Sequence, residues 1–155
     1  MAKMSIQMPS ALELKFTELG RRSDEVIDKC LEAGAEVVLN AVRNNLRGVL
    51  SAEHKNGELI NALGITPVKI DEAGVHNVKV GFAEPRKKQL KTKNGKSKKR
   101  SYYEQTNAMV ANVLEYGGRD GKQPARPFVQ PAKKQSEKPA LDAITRKFDE
   151  EVAKI

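Results

Sequence analysis

The sequence predicts an α+β fold, with a long N-terminal helix and a C-terminal helix packed on a small antiparallel β-sheet. Three patterns carry that expectation. An apolar stripe with a period near 3.6 runs from 23 to about 47, through Val26, Ile27, Cys30, Leu31, Gly34, Val37, Val38, Ala41, Val42 and Leu46. A second stripe ends the chain, where Leu141, Ile144, Phe148, Val152 and Ile155 recur at three- and four-residue intervals. Between them, 65–70 and 75–82 are β-rich, and Val78, Val80 and Phe82 alternate. A chain of 155 residues is long enough for one domain with a real core, so a single domain over 1–155 is expected.

Taken in order, 5–8 suit a short strand. Pro9-Ser10 opens a first helix, with Ser10 and Glu13 at capping-box spacing, Leu12, Phe16 and Leu19 on one face, and Gly20 as its stop. Ser23 is placed to cap the long helix, with Asp24 and Glu25 favoured by the dipole at its start; Gly48 should end it. Asn56-Gly57 marks a turn, and 58–63 suit a helical turn or two. Glu72-Ala-Gly74 lies between the two β-rich runs, which predicts a hairpin. Residues 108–116 read as a helix that Gly117-Gly118 ends. The last helix is expected to begin near Pro139, since proline is tolerated in a first turn.

The net charge of +8 is not spread evenly. Arg86, Lys87, Lys88, Lys91, Lys93, Lys96, Lys98, Lys99 and Arg100 supply nine of the 28 basic residues in a stretch without an acid. The other 19 face 20 acids, so a nearly neutral body carries one basic arm, 84–101. Asn94-Gly95 at its middle favours a tight hairpin turn, so the arm is either a protruding β-ribbon or a flexible loop. Leu90 is its one apolar residue, and order would have to come from a partner: DNA phosphates or an acidic protein surface.

Chemistry is sparse. Cys30 stands alone, on the apolar stripe, and reads as a buried thiol rather than a disulfide or metal ligand. His54 and His76 lie in a turn and at a strand edge without a carboxylate cluster beside them in sequence, and read as surface residues. Gly117-Gly-Arg-Asp-Gly121 follows a helix, the reverse of the order a phosphate cradle needs. No nucleophile elbow occurs. A non-enzyme is expected, with no catalytic residue, cofactor or metal. No apolar run approaches the length that spans a bilayer, and the N-terminus lacks a signal-peptide core, so a protein made and kept in the cytoplasm, or packed into a particle there, is expected.

The stretch from Val113 to Ala132 has its own physics. Pro124 and Pro127 fix φ, so the corner Pro124-Ala-Arg-Pro-Phe128 loses little entropy on docking. Phe128 is placed to anchor it in the core, with Arg126 pointing outward or capping a carboxylate such as Glu115. An acid at a helix C-terminus opposes the dipole, so Glu115 should have a cationic partner.

In these residues the chain resembles the bacteriophage tail-component family named after gene ten of phage HK-ninety-seven. The likeness lies in Glu115-Tyr116-Gly117, the corner Ala125-Arg126-Pro127-Phe128 and Pro131-Ala132. The family's Gly-x-Leu segment has a counterpart in Asn56-Gly-Glu-Leu-Ile-Asn-Ala-Leu63, and the likeness runs roughly from Ser10 to Ile155. It implies a virion structural protein of the neck or tail, a tail completion or terminator protein joining the tail tube to the head connector or stopper. It also implies a homo-oligomeric ring, commonly a hexamer, with no membrane contact. The arm is longer and more basic than the family leads one to expect. In a ring it reaches either passing DNA or a neighbouring protein. The competing expectation is a small basic DNA-binding protein that uses 86–100.

Overall fold

The computed structural model describes residues 10–50, 57–84, 106–119 and 121–155, with side chains described for all of them except 11–13. The predicted strand at 5–8, the capping box of Ser10 with Glu13, Asn56, His54 and the basic arm beyond Glu84 lie outside that description.

Nine elements are present among the described residues: α1 (Ser10–Arg21), α2 (Ser23–Val49), α3 (Glu58–Ala62), β1 (Leu63–Ile65), β2 (Lys69–Ile70), β3 (His76–Asn77), β4 (Val80–Phe82), α4 (Asn107–Tyr116) and α5 (Val129–Val152). The fold is α+β. Its axis is α2, 27 residues long, against which α5 lies antiparallel. The direction follows from cross-contacts: Lys29 reaches Glu151, Gly34 meets Ile144 and Ala140, and Asn45 bonds the backbone of Phe128. Gly34 sets the approach. A Cβ there would lie 2.8 Å from two side-chain carbons of Ile144, closer than packed carbons come.

Several boundaries differ from the sequence reading, each for a local reason. Gly20 does not stop α1, and Ser23 does not cap α2. Only Arg22 separates the two helices, and its carbonyl already accepts from Val26, so a capping oxygen has no free amide to meet. The Ser23 hydroxyl donates back to the Gly20 carbonyl instead. Gly48 lies inside α2, which a bond from the Leu50 amide to Leu46 closes. The expected hairpin is divided into two antiparallel ladders. β1 pairs β4, with Leu63 opposite Phe82, while β2 pairs β3, with Ile70 opposite His76. The Asp71 carboxylate shapes the tip by accepting from the amides of Ala73 and Val75.

The last helix starts at Val129, ten residues before Pro139, and it is Pro131 that occupies the first turn. Pro139 sits inside α5; it and Gln135, whose carbonyl loses its N–H partner there, are both exposed. The buried face of α5 also differs from the large-residue stripe. Ala132, Ser136 and Ala140 face α2, while Leu141 and Phe148 are 59% and 45% exposed. Small residues let the two backbones come close, Ile144 of the expected stripe packs on Gly34, and Leu141 and Phe148 are left on the outside.

The core lies at one end of the α2–α5 pair. Val42 and Leu46 of α2, Leu59, Ile60 and Leu63, Ala111 and Leu114 of α4, and Phe128 and Ala132 form one cluster. At the other end the packing is ionic. The Glu151 carboxylate, 2% exposed, is ringed by the ammonium groups of Lys29 at 3.1 Å, Lys147 at 3.3 Å and Lys154. These bonds, that from Lys154 foremost, hold its carboxyl down to about 2. Cys30 is buried beside this group, and burial raises its thiol above the ordinary value. No helix among the described residues is long and apolar enough to cross a membrane.

Candidate docking surface

The residues of the Glu115–Pro131 stretch form one device, built from the end of α4 and the start of α5. Thr106 sets α4 by accepting from the amide of Met109. The helix turns Leu114 and Glu115 inward and Tyr116 outward, where it is 69% exposed.

Glu115 has no cationic partner among the described residues. Its carboxylate crosses to the next helix and accepts three backbone amides: Phe128 at 2.7 Å, Val129 at 2.9 Å and Gln130 at 3.1 Å. Those are the free N–H groups of the first turn of α5, and the residue that follows, Pro131, has none to offer. The set is complete. An acid that opposes the dipole of α4 therefore sits at the favourable pole of α5. Burial works against its charge, and the amides of Val129, Phe128 and Gln130 together outweigh burial, so its carboxyl lies below the usual value.

Gly117 makes the turn possible. Its φ is +88°, and a Cβ there would stand 3.0 Å from the Gln123 carbonyl oxygen and 3.2 Å from the Ala125 nitrogen. The same Gln123 carbonyl accepts from Gly118 at 2.9 Å, and the Arg126 amide donates to Leu114 at 2.7 Å. Gly117 thus stands where only a glycine fits against the backbone of Gln123 and Ala125.

Phe128 is fully buried, edge-on to Phe82 of β4 with ring centroids 6.3 Å apart. Its carbonyl accepts from Asn45 of α2, whose amide also donates to Gln135. The Arg126 side chain points outward, away from Glu115. It donates to the Val49 carbonyl at 3.4 Å, placing a cation at the C-terminus of α2. Arg119 and Arg126 line an open cleft of about 610 Å³, floored by Val113, Gly118 and Pro124.

No family model, no curated protein and no solved structure matches the chain.

Two further features carry no sequence signal. The Asn107 side chain, buried at the start of α4, donates to the Ala83 carbonyl at 2.8 Å, and the Ala108 amide donates to the Glu84 carboxylate at 2.8 Å. Together they fasten the two described ends of the segment that carries Arg86, Lys87, Lys88, Lys91, Lys93, Lys96, Lys98, Lys99 and Arg100, itself outside the described residues. His76 is the second. It is not a plain surface residue: one ring nitrogen lies 2.8 Å from Asp28 and the other 3.5 Å from Asp24, pinning β3 to the start of α2. A separation of 48 positions hides that contact from any local pattern. Among the described residues no His, Cys, Asp and Glu group is arranged to hold a metal ion.

Proposed function

We propose that this chain is a structural subunit of a bacteriophage neck or tail, acting in tail completion and in joining the tail tube to the head connector. We propose further that it works as a ring of identical copies, placed in the virion. The observation that carries the reading is the division of the Glu115–Pro131 stretch into two faces. Glu115 and Phe128 turn inward and, with the tight turn at Gly117 and Pro131 in the first turn of α5, set α4 against α5. Tyr116, Arg119 and Arg126 turn outward on that locked frame. Tyr and Arg are side chains that protein interfaces favour, and a fixed backbone gives up little freedom when it docks. The residues that carry the family resemblance are the ones that build this frame, which is why the resemblance supports assembly rather than catalysis.

Mass spectrometry of purified particles tests the proposal. The polypeptide should be present in fixed stoichiometry with tail and neck proteins, and particles assembled without it should show unjoined heads and tails or tails of abnormal length. Normal particles lacking the chain would reject it. DNA binding through the arm remains the competing function, and the gel-shift comparison given in the Discussion separates the two.

A further inference from the structure

We infer that the cleft of Arg119 and Arg126 is the receiving half of a head-to-tail contact whose occupant is the acidic helix face of a second copy of this chain, at Glu32 and Glu36. This inference rests on the assembly reading and deepens it by naming the two surfaces that meet.

The starting observation is a charge division along α2. Its first half holds Asp24, Glu25, Asp28, Glu32 and Glu36 against Lys29 alone. Its second half holds Arg43 and Arg47 and no acid. Antiparallel packing of α5 reinforces the division instead of cancelling it. The half of α5 beside the basic end holds Lys133, Lys134 and Lys138 against Glu137, and the half beside the acidic end holds Asp142, Asp149, Glu150 and Glu151 against Arg146 and Lys147. Arg126, resting on the Val49 carbonyl, adds its charge to the basic end. The body is neutral in sum and polar in layout.

Most acids at the acidic end are already engaged. Glu25 pairs with Arg22 and Lys29, Asp24 and Asp28 face His76, and Glu151 holds three lysines. Glu32 and Glu36 of α2, and Asp142 and Asp149 of α5, form no ion pair among the described residues. Glu32 and Glu36 are both exposed. They stand one helical turn apart, a like-charge spacing that weakens a helix unless a cation answers it. Within α2 the nearest arginine of the basic end, Arg43, stands seven residues from Glu36 and eleven from Glu32, about 10 Å and 16 Å at ~1.5 Å per residue. Both spans exceed the screening length of about 8 Å at physiological salt, and Arg43 forms no ion pair with either among the described residues. A second copy, set with its acidic end in the cleft of the first, satisfies both. Such a contact joins unlike surfaces, so it propagates from copy to copy and closes only as a ring. Arg119 and Arg126, open to solvent on the cleft wall, present the planar donor forks that carboxylates accept. Asp120, between Arg119 and Gly121 in sequence, lies outside the described residues.

The test uses two variants of the full chain, Arg119→Glu/Arg126→Glu and Glu32→Lys/Glu36→Lys, compared with the wild type by analytical ultracentrifugation. All four positions are exposed, so circular dichroism should show unchanged helix content. The wild type should form species larger than a dimer that weaken as salt is raised. Each variant alone should associate at least tenfold more weakly. An equimolar mixture should recover association beyond a dimer, because each cross-contact then pairs opposite charges, one in the wild-type sense and one reversed. A single chain carrying all four changes should assemble again. Variants that assemble like the wild type, a mixture without recovery, a wild type that stops at a dimer, or one that stays monomeric would each overturn the inference. The first two leave the assembly reading standing; absence of the chain from purified particles removes that reading whatever the self-contact does.

Discussion

The carboxylate of Glu115 caps the helix that Phe128 introduces, thirteen residues further along the chain, by accepting the Phe128 amide at 2.7 Å. The adjoining amides of Val129 and Gln130 share the same side chain. The relationship makes one side chain of α4 responsible for the whole first turn of α5.

Glu115→Gln keeps the shape and loses the charge. One oxygen can still accept, but the amide NH2 must face a backbone donor. A destabilisation of about 1.5–3 kcal/mol is expected, the range for hydrogen bonds to a charged group. Urea unfolding followed by circular dichroism should show a lower midpoint with an unchanged slope. A wild-type midpoint would mean that the three amides find other partners.

Acid should weaken the fold in a defined window. The folded-state carboxyls of Glu115 and Glu151 lie below their ordinary value of 4.5, Glu151 at about 2. A lowered folded value gives stability that is complete above the unfolded value and lost as pH falls through the folded one. Unfolding midpoints measured from pH 6 down to pH 2 should therefore fall below about pH 4.5. In Glu115→Gln that decline should be shallower, and equal slopes for the two proteins would exclude Glu115 as a contributor.

Gly117→Ala meets two obstacles: a φ of +88° and a carbonyl oxygen 3.0 Å from the new methyl group. A loss of about 1–3 kcal/mol is expected from the backbone conformation alone. Gly121 also has a positive φ, but nothing lies within 4 Å of a Cβ there, so Gly121→Ala should cost less. Differential scanning calorimetry of the pair checks the ranking, and a Gly121 variant as damaged as the Gly117 one would contradict it.

Phe128→Ala removes a fully buried ring that meets Phe82 edge-on. About 3–5 kcal/mol should be lost. Phe148→Ala, on the outer face of α5, should change stability by less than about 1 kcal/mol, because that side chain is partly in water. Reversal of that order would place the core elsewhere.

The assembly reading expects no salt-sensitive duplex binding by the isolated chain. A gel shift at low salt that disappears on changing Lys96, Lys98, Lys99 and Arg100 to Ala would assign the arm to DNA.

The sequence made α2 legible because large apolar residues mark its inner face: Val26, Val42 and Leu46 are all buried. It was less informative about α5, whose inner face is Ala132, Ser136 and Ala140, residues too small to stand out beside Leu141 and Phe148. Helix ends were misplaced where capping is not local. Ser23 looks like a cap but follows residues that are already helical, and the true cap of α5 comes from another helix. The chemistry of Glu115 was readable in part: its position against the α4 dipole demanded compensation, but sequence spacing pointed to a cation, and the compensation is a set of backbone amides.

Asn107 and Glu84 have a consequence for how this scaffold tolerates change. By tying the backbone at Ala83 and Ala108, they make the intervening stretch a graft on a closed stem. Altering the length of such a graft is cheap, since each doubling adds only about 0.6 kcal/mol of closure entropy. Reach and cationic strength can therefore be retuned between Glu84 and Asn107 while the α2–α5 pair keeps its packing.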